Sequence, residues 1–347
     1  MSRHRPLIHQ ANDSHPAVRP EIRDRPDGAF FLINTALNNE SNSASLASAS
    51  TDPGRDRAPA REVVDQKTLP GTVPSDDTLF VIEPRTGSMA LDFREIWHYR
   101  DLLYFLTWRE ISLRYKQTFL GVLWAIIQPV MTVAVFTVFL GRLAKMPSDG
   151  VPYPVFNYLG LLPWMYFSNA VTRSTSSLVN SSALISKVYF PRVLIPLSGT
   201  LSALADFAIA FVVLVVLMLF YHIIPAASTL FLVPLVMLTA LAALGAGMWL
   251  SAVNVKFRDV THALPFLMQV WMYATPVVYP TSIVPERWRW VFALNPLTGI
   301  IDGYRAATLG RPLDWQTLAV STLATFVMLA FGVRRFSKME REFADIV

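Results

Sequence analysis

The strongest constraint on this chain is one apolar run. Leu194 to Val255 is 62 residues long and holds a single Asp, Glu, Lys or Arg, namely Asp206. An α-helix rises about 1.5 Å per residue, so about 20 apolar residues cross the roughly 30 Å hydrocarbon core of a bilayer. The run is too long for one passage and long enough for two. His222–Ser228, with Pro225, supplies the turn and divides it into spans Pro196–Tyr221 and Thr229–Val253. No water satisfies backbone amides in lipid, so such spans are expected to be helical.

Other segments extend the pattern. Phe119–Gly141 is 23 residues without a charge, and Val155 to about Thr172 is a second span richer in aromatics. Val260–Pro280 and Trp315–Val333 bring the count to six. Between the fifth and sixth, Thr281–Asp314 holds two short semi-apolar pieces broken at Asn295-Pro296 and Gly310. Pieces this short do not cross a bilayer and read as a re-entrant helical hairpin. Ahead of the first span, Asp92–Tyr115 sets Ile96, Tyr99, Leu103, Leu106 and Trp108 beside Arg94, Arg100, Arg109 and Arg114. That combination suits an amphipathic helix lying in the membrane interface. The expected fold class is an all-α membrane protein: six transmembrane helices, an N-terminal amphipathic interface helix and a re-entrant hairpin.

Charge divides the chain in two. Only 16% of residues are charged, against about 25% in soluble domains. Residues 1–90 nonetheless hold 22 charged residues, 9 prolines and no Trp or Tyr, and sum to −2, while residues 91–347 sum to +7. The first 90 are Ser/Asn-rich at Asn38–Thr51 and Pro/Arg/Asp-rich at Pro53–Arg61, and read as a mostly disordered cytoplasmic tail. Within it, Leu79–Ile82 is a short candidate strand or docking segment, and no signal peptide is evident. If both ends are cytoplasmic, thirteen Lys/Arg flank the spans inside and six outside, which by the positive-inside rule orients the chain with both termini in the cytoplasm. The positive charge is thus a topology signal, and nucleic-acid binding is not expected.

Catalytic signatures are absent from the sequence. There is no G-x-x-x-x-G-K-[ST] loop, H-E-x-x-H or G-x-S-x-G, and no cysteine to hold a metal or act as a nucleophile. The six histidines are scattered. A membrane-embedded glycosyl- or acyltransferase would need an acidic pair or a His-Asp motif, and neither is present. A proton-coupled carrier would be expected to show repeats and several buried ionisable groups, whereas Asp206 stands alone. A carboxylate at that depth is costly unless paired or wet, and Arg173 sits at a compatible depth. An Asp206–Arg173 contact is therefore expected, either as a helix lock or within a water-lined site. The segment 178–196 adds a short amphipathic helix near Ser182–Val188 and a Phe190-Pro191-Arg192 corner, with Lys187 and Arg192 exposed to a cytosolic partner.

Four separated motifs resemble one family. Arg114-Tyr115-Lys116-Gln117-Thr118-Phe119-Leu120-Gly121-Val122-Leu123-Trp124, followed by Gln128-Pro129, is similar to the start of the first span in ABC-2 type exporter permeases. Lys187-Val188-Tyr189-Phe190-Pro191-Arg192 with Pro196 resembles the cytoplasmic loop of the branch that moves O-antigen, capsule or teichoic acid polymers. Asn254-Val255-Lys256-Phe257-Arg258-Asp259-Val260 and Tyr273-Ala274-Thr275-Pro276-Val277 resemble the two ends of its fifth helix. Asn295-Pro296 with Gly303-Tyr304-Arg305 resembles its hairpin. Similarity covers about residues 91–339, and the long N-terminal tail departs from the family's compact start.

The resemblance implies a non-enzymatic half-channel in the cytoplasmic (inner) membrane. It would pair with a second copy and with two separate ABC ATPase subunits, which would hold ATP and Mg; no cofactor is expected on this chain. Ser186, Lys187, Tyr189, Phe190, Pro191 and Arg192 would couple to the ATPase. Arg109, Arg114 and Lys116 would receive a lipid diphosphate. Trp124, Tyr158, Trp164, Tyr166, Phe167, Trp271 and Tyr273 would offer ring faces to a passing glycan. A lipid or drug exporter of the same family is the alternative, with weaker matches expected at the Tyr-Lys-Gln and Phe-Pro-Arg segments.

Overall fold

The computed structural model describes residues 93–116, 123–188 and 190–340. The N-terminal tail, the Leu79–Ile82 segment, residues 117–122 at the head of the first span, Tyr189 and the Ser186 side chain lie outside the described residues. Every regular element among those described is helical. Four helical stretches are long and apolar enough to cross a membrane: Leu123–Leu143, Leu194–Phe220, Ala227–Lys256 and Trp315–Glu340.

Helices α1 (Phe93–His98) and α2 (Arg100–Lys116) form an almost continuous rod, since Tyr99 N–H still donates to Glu95 and Leu103 N–H to Tyr99. Apolar side chains lie on two sides of it. Leu106 is buried in a cluster with Leu178, Phe190, Leu194 and Phe336, while Trp97, Tyr104 and Trp108 face outward. Trp108 thus leaves the face that sequence spacing assigned it with Leu106.

Helix α3 (Leu123–Phe136) carries Pro129 and passes into a π-helical turn at Thr137–Leu143, with most of its apolar side chains exposed. Helix α4 (Tyr153–Asn180) is the opposite case, 28 residues long and mostly buried. It has the length to span but too many Tyr, Trp, Asn, Ser and Thr for lipid, and packed protein surrounds it instead. Several of its Ser and Thr hydroxyls bond back to their own helix, as Thr175 Oγ1 does to Val171 O at 2.7 Å, which makes their burial tolerable. Helix α5 (Ser182–Lys187) and the 190–193 corner lead to α6 (Leu194–Phe220).

The predicted turn at His222–Ser228 is present: α6 stops at Phe220, and a 3₁₀ turn at Ala227–Phe231 starts α7 (Leu232–Lys256). Helix α7 meets α11 (Trp315–Glu340) at Gly245 and Gly332, where a Cβ on Gly332 would strike the Gly245 carbonyl. Small residues at such crossings let backbones approach closely.

The fifth span departs from expectation. Helix α8 (Asp259–Tyr273) has only 15 residues, and the chain is not helical through Val277–Pro280. Pro276 has no N–H to donate and disfavours helix at Thr275, so the turn-to-turn ladder ends there. Freed carbonyls find side chains instead: Arg305 donates to Val277 O at 2.6 Å and Tyr279 O at 3.4 Å, and Tyr153 OH donates to Val278 O at 2.9 Å.

Two further helices fill the 281–314 region: α9 (Glu286–Ala293) and α10 (Pro296–Leu309). The Asn295-Pro296 pair has a local cause. Asn295 Oδ1 caps α10 by accepting from Leu297 N–H at 3.2 Å, and Pro296 takes a position where no N–H is needed. Gly310, at φ 67°, closes the other end in the left-handed region.

Asp314 caps α11. Its carboxylate accepts from Gln316 N–H, Thr317 N–H and the Thr317 hydroxyl, and these bonds hold its carboxyl below the usual carboxylate range. Because the folded value is depressed, this stabilisation exists at neutral pH and is lost as pH falls through that value. Asp314→Ala is expected to cost about 0.5–2 kcal/mol, read as a lower thermal midpoint at pH 7 that converges with wild type in acid.

Hydrogen bonds gather the connections at two ends. Ser282 bonds Asp149, Arg311 bonds the Asp149 carbonyl, Ala226 N–H bonds Thr308 O, and Ser228 bonds Ala307 O. At the other end Arg109 reaches Ser181, and Arg192 reaches Glu340.

Candidate functional site

About midway along α6, three helices converge on Asp206. The carboxylate lies on α6, about 18 Å along it from Leu194 at helical rise, and is 8% exposed. Arg173 of α4 donates to Oδ2 and, through its other terminal nitrogen, to Ser202 Oγ at 3.1 Å. Arg114 of α2 stands 3.4 Å from the same Oδ2, and Tyr115 OH donates to Oδ1. Both oxygens are engaged, as a buried carboxylate requires. With two guanidinium groups to one carboxylate, the cluster as a whole stays cationic.

The sequence reading anticipated Arg173 beside Asp206 and missed Arg114 and Tyr115 there. No spacing rule would have found them, because α2 must climb to the depth of Asp206, and that climb is a tertiary fact.

A groove of about 450 Å³ opens beside this cluster, lined by Arg114, Tyr115, Trp124, Gln128 and Met131 among others. Arg114, Ala125 and Gln128 also line a smaller adjoining pocket with Tyr166, Asn169 and Asp206. The three basic residues expected to receive a diphosphate therefore separate. Arg114 faces the groove, Arg109 instead bonds Ser181 Oγ at 3.3 Å, and Lys116 is exposed at the end of α2.

The expected aromatic path separates too. Tyr158, Trp164, Tyr166 and Phe167 are buried in the chain's own core, so in this packing they offer no open ring face along a surface. Tyr158 OH is bonded to Ala210 O at 2.8 Å, and Phe167 lies edge-on to Trp271 at 5.0 Å. Trp271 Nε1 donates to Asn295 at 3.3 Å. Trp124 and Tyr273 are the exposed members, at 56% and 54%. Tyr166 still borders the small pocket although its ring is buried.

The segment expected to couple to a motor is tightly integrated. Phe190 is buried against Leu106, Leu178, Leu194 and Phe336, which belong to α2, α4, α6 and α11. Lys187 is exposed and Pro191 half-buried. Arg192 departs from the exposed lever expected of it: it is half-buried and donates to Glu340 O at 2.7 Å. A carbonyl at a helix C-terminus is an unpaired acceptor that attracts a cation, which explains the capture. Arg192→Glu is expected to loosen the last turn of α11 by about 1.5–3 kcal/mol, visible as faster amide exchange at residues 336–340. Unchanged exchange would assign that turn's order to other contacts.

These features define a helical, membrane-embedding chain whose sequence has no nucleotide-binding loop and whose polar residues gather at helix junctions. Residues 101–309 match the ABC-2 type transporter family, and the chain belongs to that family. Among its relatives, the O-antigen export system permease protein RfbA of Myxococcus xanthus is 30% identical over 258 residues, covering 73% of this chain and 98% of that protein. A protein of the same name from Klebsiella pneumoniae is 27% identical over 248 residues, 71% of this chain and 95% of that one. The polysialic acid transport protein KpsM of Escherichia coli is 24% identical over 235 residues, 67% of this chain and 91% of that protein.

Proposed function

We propose that this chain is the membrane subunit of an ATP-driven ABC exporter that moves a polysaccharide across the cytoplasmic membrane. The observation that carries the proposal is similarity along 91–98% of the length of permeases named for O-antigen export and polysialic acid transport. The absence of a Walker loop from the sequence fits a transport subunit whose energy enters from a partner. That partner is proposed to be a pair of ABC ATPase chains, docked beneath two copies of this one.

The finer reading has six passages: α3, α4, α6, α7, α8 with the non-helical stretch after it, and α11. In it α1 and the start of α2 lie in the interface, the end of α2 rises to Asp206, and α9–α10 form the re-entrant hairpin. Support comes from the two hydrogen-bonded ends and the thirteen-to-six bias of basic residues, which argue for both termini inside. Residues 1–90 are proposed as a cytoplasmic appendage. The polymer is proposed to arrive on a lipid diphosphate, received in the groove where Arg114 stands beside the cationic Asp206 cluster and Trp124 supplies an aromatic wall. Motion is proposed to pass from the 182–192 segment into α2, α4, α6 and α11 through Phe190.

Deleting the gene and measuring surface polysaccharide tests the proposal. Loss of the surface polymer, with lipid-linked polymer retained inside and restored export on complementation, is expected. Unchanged surface polymer would reject it.

A further inference from the structure

The two guanidinium groups at Asp206 are held differently. Arg173 lies inside the protein with its side chain 14% exposed, bonds both Oδ2 and Ser202, and by itself neutralises the carboxylate. Arg114 stands 3.4 Å from the same oxygen, but its side chain is 44% exposed and lines the groove of about 450 Å³. Two cations on one oxygen repel each other, so the outer one is the more weakly bound. Glu110, one turn below Arg114, does not cancel the excess, because it is paired with Arg109 at 3.6 Å. The movable part of the cluster's positive charge therefore faces the groove.

An anion in that groove competes with Asp206 for Arg114. A diphosphate offers several oxygens and more than one charge, in a geometry that suits a guanidinium fork. Asp206 offers one oxygen that Arg173 already occupies. Once Arg114 turns to the anion, the Tyr115 hydroxyl on Oδ1 still ties the end of α2 to α6. The anion also repels the Asp206 carboxylate, so the end of α2, now bound to the anion, is driven from α6. Lower down, Leu106 in the Phe190 cluster and Arg109 on Ser181 keep the rest of α2 in place. Leaving Asp206 breaks the Tyr115 bond, and ligand affinity is reduced by that amount.

We propose that the lipid diphosphate of the polymer takes Arg114 from Asp206 and releases the end of α2 from α6, with Tyr115 setting how tightly the diphosphate binds. The identity of the anion rests on the export reading above; the exchange rests on the cluster itself.

The test titrates geranylgeranyl diphosphate onto the full chain in phosphatidylcholine nanodiscs. Arg114→Gln should weaken binding at least about tenfold, as loss of a charge-assisted contact does. Tyr115→Phe should act in the opposite direction: its thermal midpoint without ligand falls, yet it binds the diphosphate about two- to tenfold more tightly, because release no longer breaks a bond. A merely structural tyrosine would not improve binding. The sequence has no cysteine, so a single nitroxide can be placed at Leu113→Cys, a position 52% exposed beside Arg114. Its mobility should rise with geranylgeranyl diphosphate and stay unchanged with geranylgeraniol. Unchanged or weaker affinity in Tyr115→Phe, or a nitroxide that does not respond to bound diphosphate, would overturn the exchange and leave diphosphate entry standing. Equal binding of inorganic pyrophosphate, or displacement by phosphatidylglycerol, would overturn the lipid diphosphate as the trigger. If wild type binds no diphosphate, entry at this groove falls too, whereas the export reading falls only if gene deletion leaves surface polymer unchanged.

Discussion

Asp206→Ala is expected to remove most of the folded, membrane-inserted protein. It deletes the acceptor shared by Arg173, Arg114 and Tyr115 and leaves the buried Arg173 guanidinium with the Ser202 hydroxyl as its hydrogen-bond partner. Breaking one partner of a buried pair costs about 3–5 kcal/mol, because the remaining charge stays uncompensated. Replacing both charges by apolar groups should be much milder, so Arg173→Met with Asp206→Leu is expected to regain most of the loss. Exchanging the two charges should not rescue, since an arginine at 206 would then face Arg114. Thermal midpoints of the four proteins in nanodiscs decide this. Recovery in the charge swap and none in the apolar double would reduce the cluster to an isolated Arg173–Asp206 pair.

The second large effect is expected at Arg305. This residue is 5% exposed, and its guanidinium lies 3.9 Å from the Phe156 ring centre while donating to the Val277 and Tyr279 carbonyls. Non-helical backbone at membrane depth persists only where its polar groups are satisfied by protein or water. Arg305→Met removes that satisfaction and also leaves Asp302 without its partner, at a cost of at least about 3–5 kcal/mol. Gly160 reports on the same junction from the other side. A Cβ there would strike the Val277 carbonyl and stand 2.6 Å from Arg305 Nη2. Gly160→Ala should therefore loosen the same segment with the charge intact. Amide exchange across 274–280 should rise in both variants, more in Arg305→Met. Equal protection in wild type and Arg305→Met would assign the order of this stretch elsewhere.

What was readable in advance follows from what hydropathy measures. The Leu194–Val255 run divides where Pro225 implied, and the Asn295-Pro296 and Gly310 boundaries stand because each has a local cause in capping or backbone conformation. The Asp206–Arg173 contact was legible because one carboxylate at depth leaves few partners within reach. Apolarity, however, does not distinguish a lipid-facing side chain from a protein-facing one. Tyr158, Trp164, Tyr166 and Phe167 therefore read as candidates for a surface path while lying inside the core. The same blindness hid the end of α8 at Tyr273, where apolar composition continues to Pro280 but the helix does not. Arg192 looked like a free lever because its partner, the Glu340 carbonyl, is 148 residues away in sequence. Arg114 and Tyr115 were missed at Asp206 for the same reason. Contacts set by how helices pack are written in no local pattern.

The most direct test of the central claim is transport itself. Inside-out membrane vesicles carrying this chain and its ABC ATPase partner would be loaded from outside with the labelled lipid-linked polymer. With ATP the label should become protected from added glycosidase, and it should stay accessible with a non-hydrolysable analogue. Protection that forms equally without ATP, or never forms while the ATPase turns over, would contradict the assignment of this chain as an ATP-driven polysaccharide export permease.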